Sequence, residues 1–382
     1  MANTLTDLIP DLYEAVDVVS RELVGFIPSV NMNSSMERAA LNESILIPVT
    51  RAAGTSQSNT PAVTAPDNGD AVVDNVPITI SKSKFQPIRW NGEETKGLKN
   101  SGMFSSIFAE RAAQAVRSLA NEIEADIASE YIRSSRAYGT AGTTPFASGV
   151  GMAGASNIKK ILDDNGAPAS ERTLVIDTAA GVNLRNLANL NQQNTAGTDA
   201  TLRRGVLLPL FGMDIRESAQ IANVTKGTGT LYTSDTAGYS VGDTSITLIT
   251  GSGTILAGDV ITFAGDLNKY VVKTGIAAPG TIVLAGPGLR EPIAASAVAL
   301  TVGADFVANM GFVRSAIQLV ARMPATPEGG DSGIIIDQVT DPVSGLTFEF
   351  VEYKQFLQNV IHVRLAWGFK LIKPEHTAIL LG

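Results

Sequence analysis

The sequence predicts an α+β chain that carries a small all-β, barrel-like domain inserted within it. Three observations lead there. Residues 224–303 are rich in Gly, Thr, Ser and Val and nearly free of long charged side chains. They alternate short β-like runs (Ser245–Thr250, Asp259–Phe263, Lys269–Thr274, Thr281–Leu284) with Gly-Asp, Gly-Ser-Gly and Pro-Gly turns, the spacing of a small barrel or sandwich. Residues 103–137 set Val116, Leu119, Ile123, Ile127 and Tyr131 on one apolar stripe, the mark of an amphipathic helix. The chain then closes on two runs that alternate apolar and polar residues, Leu346–Tyr353 and Asn359–Ile372.

Taken in order, Leu8, Leu12, Tyr13, Val16, Val19 and Leu23 recur at helical spacing and predict a short helix on an N-terminal arm. That helix packs on its own domain or on a neighbour. Ile45–Thr50, Ala71–Val73, Val76–Ser81 and Lys84–Trp90 read as strands, and Ala52–Asp70 as a loop or mobile tip. Pro48, Pro77 and Pro87 confine these strands to sheet edges or a two-stranded ribbon, because proline donates nothing to a ladder. A lone ribbon is marginal in water, so it is expected to lie on something else. The helix over 103–137 would run roughly 50 Å at ~1.5 Å per residue, longer than a compact small domain needs. Glu110, Arg117, Asn121, Glu124 and Glu130 fall off its stripe. Beyond it come a Gly-rich loop over Tyr138–Gly154, a helix over Ser156–Leu162 and a buried strand over Thr173–Asp177. A helix over Ala179–Asn189, a strand region over Leu207–Ile215 and mixed apolar runs over Phe306–Ala321 complete the series.

The 382 residues are 44% hydrophobic and 17% charged, enough for sizeable cores and too apolar for global disorder. A surface so poor in charge can be buried against copies of itself without desolvating many ions. The net charge of −8 argues against a dedicated nucleic-acid binder. With no cysteine there is no disulfide, thiol nucleophile or Cys-ligated metal. The N-terminus lacks the basic and apolar regions of a secretory signal, and no run of eighteen apolar residues exists to span a membrane.

Local motifs point away from catalysis. Gly149–Gly154 spells a dinucleotide GxGxxG, but the strand that the fingerprint requires before it is missing, and a flexible loop accounts for it better. Gly238–Gly242 spells GxSxG around Ser240 without the helix that makes a nucleophile elbow. The only histidines, His362 and His376, sit in or after the last strand, so neither a triad nor a zinc site is expected. Asp331, Asp337 and Asp341 lack calcium-loop spacing and read as solvated loop carboxylates. No enzyme activity, cofactor or metal is expected.

The order of parts resembles the major capsid proteins of tailed bacteriophages, which have the Hong Kong 97-type fold. In that likeness residues 1–44 are the N-terminal arm, 45–100 the extended E-loop ribbon and 101–149 the spine helix of the peripheral domain. Residues 150–223 and 304–339 are the axial domain, 224–303 the inserted β domain, and 340–382 the closing peripheral strands. The inserted module is similar to that of short-tailed Salmonella-type phage coat proteins, and Trp367–His376 resembles their closing strand. The resemblance implies a virion protein that assembles with itself into hexamers and pentamers in the host cytoplasm. It also implies a separate scaffolding protein, a portal, decoration proteins as optional partners, DNA enclosed without specific binding, and no membrane. The chain starts almost directly at the arm, which suggests no cleaved leader segment.

The contact residues expected between subunits are Lys82, Lys84, Arg89, Glu93 and Glu94 on the ribbon, and Asp243, Asp266 and Lys269 on turns of the β module. For the basic run that Lys96 and Lys99 extend, two readings stand: a solvated ribbon face, or charge pairing with a neighbour. Two rival functions remain, a bacterial nanocompartment shell with the same fold and a secreted adhesin built on the β module. A hydrolase using Ser240 is a third, favoured by nothing else in the chain.

Overall fold

The computed structural model describes residues 24–50, 73–100, 104–191, 205, 207, 209–221, 223–341 and 345–382. The arm helix expected over Leu8–Leu23 and the tip over Ala52–Asp70 lie outside them. The architecture is mixed α+β and mostly sheet.

One long helix, Phe104–Ala128, supports a six-stranded sheet. Its stripe of Ala112, Val116, Leu119, Ile123 and Ile127 is buried in one core with Phe348, Phe350, Val363, Leu365 and Trp367. The sheet runs Asn31–Ala39, Ile317–Pro324, Gln358–Leu371, Thr347–Gln355, Ile335–Thr340, with Lys82–Asn91 on the other edge of Gln358–Leu371. The period of two along the closing strand sends Ile361, Val363, Leu365 and Trp367 to the helix side.

The helix ends earlier than the apolar stripe suggests. A 3-10 turn, Ser129–Arg133, follows Ala128, and Arg136–Tyr138 is extended. Tertiary pairing overrides the periodicity here, because Arg136–Tyr138 is held between Lys269–Thr274 and Thr377–Leu381. At about 1.5 Å per residue the helix is roughly 37 Å long rather than 50 Å.

Two further departures concern the ribbon. Lys82–Asn91 belongs to the six-stranded sheet, paired over its whole length with Gln358–Trp367. Only Ser44–Thr50 and Val73–Thr79 form the two-stranded ribbon, in register from Ser44 opposite Thr79 to Thr50 opposite Val73. Residues 92–100, expected within the ribbon, form a helix, Gly92–Asn100. A reciprocal cap starts it: Glu94 N–H donates to Asn91 Oδ1 at 2.7 Å, and Asn91 N–H donates to Glu94 Oε2 at 3.0 Å.

The second sheet has eleven strands and includes Thr377–Leu381, Phe306–Val313, Arg172–Ile176 and Asp214–Glu217. Helix Ala153–Asp164 packs Ile158, Ile161 and Leu162 against it, beside Ala180 and Leu184 of Thr178–Asn186. The strands of 304–339 do not stay together. Phe306–Val313 lies in this sheet, whereas Ile317–Pro324 and Ile335–Thr340 lie in the first, with the crossing at Arg314–Ala316. Likewise Thr377–Leu381 leaves the other closing strands for the second sheet.

The segment 224–303 has a core of its own, centred on Tyr232, Ile246, Leu248, Ile261, Phe263 and Tyr270. It joins the body edge to edge, through Lys269 opposite Ala137 and Tyr270 opposite Arg136.

Candidate functional site

The ribbon Ser44–Thr50/Val73–Thr79 forms a sheet of its own. One face of its inner rungs is packed: Ile45 and Ile47 lie against a small apolar cluster that Ile78 and Ile80 form with Ala39, Val320 and Ala366. The base crosses the closing strand at Gly368. A Cβ there would stand 2.2 Å from Thr79 O, so the crossing needs glycine. On the opposite face Leu46, between Ile45 and Ile47, is 61% exposed.

Below the ribbon, its continuing strand is latched to the long helix. Gln86 Nε2 donates to Ser118 Oγ at 2.8 Å, Lys84 pairs with Glu122, and Lys82 reaches Glu122 at 2.9 Å and Asp126 at 2.7 Å. Residues two apart on a strand lie about 6.8 Å apart. Residues four apart on a helix rise about 6.0 Å. Gln86, Lys84 and Lys82 therefore meet Ser118, Glu122 and Asp126 rung by rung. Trp367 Nε1 donates to Asp126 Oδ2 at 2.8 Å, which ties the closing strand into the latch, and Lys82 sits 5.9 Å from the Trp367 ring centre. Partial desolvation disfavours the Lys82 ammonium, yet its hydrogen bonds to Asp126 and Glu122 more than reverse this and hold its pKa above the ordinary value. Glu122 is held below its ordinary value: desolvation opposes the shift, and Lys82 and Lys84 together outweigh it.

The chain enters the described body at a second fixed point. Glu124, 1% exposed, accepts hydrogen bonds from the backbone N–H groups of Gly25, Phe26 (2.6 Å) and Ile27 (2.9 Å). Burial raises its pKa more than these bonds lower it. Phe26 stacks on Phe312 at 5.9 Å, and a Cβ on Gly25 would stand 2.7 Å from Val175 Cγ1 and 2.8 Å from Glu217 O. One clasp thus joins the N-terminal entry, the long helix and the second sheet. Glu124 and Glu130 lie off the apolar stripe but are buried all the same. Glu130 Oε2 accepts from Leu371 N–H at 2.9 Å.

The expected contact residues fall into two groups. Lys82 and Lys84 spend their charge on the helix of their own chain, and Glu94 caps its own helix. Asp243 Oδ2 closes a turn by accepting from Ser240 N–H at 2.7 Å. Asp266 accepts from Asn268 N–H at 2.8 Å, and Lys269 donates to Gly139 O. Burial lowers the Lys269 pKa. Arg89 and Glu93 are exposed beside the latch, and Lys96 and Lys99 lie on the helix Gly92–Asn100.

The motif residues are placed apart from one another. Ser240 lies in the turn before Ser245–Thr247, and Gly149–Gly154 follows a run of turns. His362 stacks on Phe85 at 4.4 Å, and His376 closes the 3-10 turn Pro374–His376. Asp337 is on a strand, and Asp331 bonds Tyr353 and Arg364. Among the described residues no group of three or more His, Cys, Asp or Glu is arranged to hold a metal, and no helix is long and apolar enough to cross a membrane.

Comparison with known proteins finds no matching family model and no matching curated protein. Among solved structures, the capsid of cyanophage P-SCSP1u is similar at 12% identity and a TM-score of 0.49, over 94% of this chain and 88% of that one. A structure from Mycobacterium phage Che8 is similar at 13% identity and a TM-score of 0.46, over 89% and 84% of the two chains. A virus-like particle from Pyrococcus furiosus is similar at 8% identity and a TM-score of 0.47, over 98% and 100%. Likeness this distant transfers no function.

Proposed function

We propose that this chain is the major capsid protein of a tailed bacteriophage, a non-enzymatic subunit whose many copies close into a head around DNA. The observation that carries the proposal is the ribbon. Seven residue pairs form a sheet of two strands, with Leu46 exposed on the face opposite the packed Ile45 and Ile47. Such a ribbon is marginal in water by itself, and the face that its own body does not cover is open to a neighbouring subunit. The latch and the Glu124 clasp hold the ribbon base and the N-terminal entry rigid, so ordering a ribbon on a neighbour costs little further entropy. Contacts of this kind, repeated around a closed shell, are individually modest and collectively strong.

In this proposal the parts take Hong Kong 97-type roles. The long helix is the spine, the ribbon the E-loop, and 224–303 an inserted β domain with its own core. Arg89 and Glu93 are the expected contact residues left facing outward beside the latch. A separate scaffolding protein is the expected assembly partner.

The test is the variant Leu46→Asp. It places a charge on the exposed ribbon face and leaves both main cores untouched. Sedimentation should show wild-type chains entering large assemblies and the variant remaining small, with identical far-UV circular dichroism. Assembly of the variant at wild-type concentration would remove the ribbon from the account.

A further inference from the structure

Two Asn-Gly steps lie among the described residues, Asn91–Gly92 and Asn165–Gly166; a third, Asn68–Gly69, lies outside them. Such a step is chemically reactive, because glycine has no Cβ to shield its backbone nitrogen from the amide carbon of the asparagine before it. Much is alike at the two sites. Each glycine N–H has an acceptor, Leu357 O at 3.1 Å for Gly92 and Asp163 O at 3.0 Å for Gly166. Each asparagine Oδ1 faces a donor, Glu94 N–H at 2.7 Å for Asn91 and Arg136 Nη2 at 3.3 Å for Asn165. Donors so placed stabilise the oxygen as it takes negative charge during attack on the amide carbon. The difference lies in the nitrogen that must leave. Asn165 is half-buried, and its Nδ2 donates to Ser135 Oγ at 3.1 Å and to Glu375 O at 2.8 Å. Asn91 is exposed, and its Nδ2 makes no hydrogen bond among the described residues.

We propose that Asn91 is a site of spontaneous modification, converted to aspartate and isoaspartate in the folded chain, while the fold protects Asn165. The Gly92 nitrogen gives its lone pair to Cγ of Asn91. Its proton passes through solvent to Nδ2, which leaves as ammonia and closes a succinimide ring. Water then opens the ring. Cleavage of the new N–Cγ bond gives aspartate, and cleavage of the original peptide bond gives isoaspartate. Aspartate caps a helix about as well as asparagine does, so that product keeps the start of Gly92–Asn100. Isoaspartate adds one main-chain carbon at a corner where Asn91 is paired with Gln358 and Gly92 is bonded to Leu357 O. The inference goes beyond the shell reading and stands or falls without it.

The test holds the purified full chain at mildly alkaline pH in isotopically labelled water and maps its peptides by mass spectrometry over time. Asn91 should convert about tenfold faster than Asn165, a barrier difference of about 1.4 kcal/mol. In urea, where nothing holds Asn165, the two sites should convert at similar rates. A Cβ at Gly92 would meet only Leu357 O, at 3.9 Å, so Gly92→Ala fits the fold while crowding the attacking nitrogen. That variant should keep its circular dichroism and slow Asn91 about tenfold. An Asn91 that stays an amide in the folded chain while it converts in urea would overturn the proposal. So would an Asn165 that converts as fast as Asn91 in the folded chain, or a Gly92→Ala chain that converts at the wild-type rate.

Discussion

Glu124 shows how much a single residue carries. In the sequence it is a carboxylate off the apolar stripe of a helix, which reads as solvent-facing. In the structure it is buried and accepts three backbone N–H groups of the entering chain. Nothing local could signal this, because its partners lie nearly a hundred residues away. Glu124→Ala leaves those donors buried without acceptors, at about 1–3 kcal/mol each. A loss of at least about 3 kcal/mol in urea unfolding is expected, and a loss of under about 1 kcal/mol would contradict the clasp. The histidines give a pH signature. Burial lowers the pKa of His362, with Arg364 adding to it, and burial likewise lowers that of His376, whose Nδ1 is buried without a partner among the described residues. Lowered folded-state values mean that the unfolded chain binds more protons, so stability falls as pH drops from the ordinary value of 6.5 toward the lowered ones. Glu124 acts with the opposite sign, because its raised pKa makes its contribution fall as pH rises through the window above 4.5. The two imidazoles should therefore lower the urea midpoint as pH falls below about 6.5, and His362→Gln with His376→Gln should remove that part of the slope. An unchanged slope would show that neither imidazole is held neutral by the fold.

Among the elements, those with strong periodicity were legible and those made by pairing were not. The stripe of Val116, Leu119, Ile123 and Ile127 located the long helix, and alternation located both closing strands. The short runs of 224–303 were placed within a few residues. Asn31–Ala39 was missed because its sequence is polar, and it is a strand only through its parallel partner Ile317–Pro324. The helix Gly92–Asn100 did leave a signal, the Asn91-x-x-Glu94 cap, which the surrounding charge obscured. The latch was half legible. Charge on Lys82 and Lys84 was visible, but the Ser118, Glu122, Asp126 face that uses it emerges only when strand and helix are laid together. The Leu46 variant should keep its circular dichroism because Leu46 is exposed and faces away from the cluster that Ile45 and Ile47 pack against.

At the scale of the whole molecule, two sheets share one chain. The Glu124 clasp and the crossing at Arg314–Ala316 bind them together, and the Lys269–Ala137 pairing hangs the β segment on the second sheet. What such a body leaves uncovered is the outer face of the ribbon around Leu46, which the proposal gives to copies of the chain. The central claim is that these copies close into a shell. Electron cryo-microscopy of the purified chain tests it most directly. The account predicts closed particles in which each ribbon lies on a neighbouring subunit. Particles in which each ribbon folds back onto its own subunit would contradict it, and so would chains that stay monomeric at every concentration once a scaffolding partner is supplied.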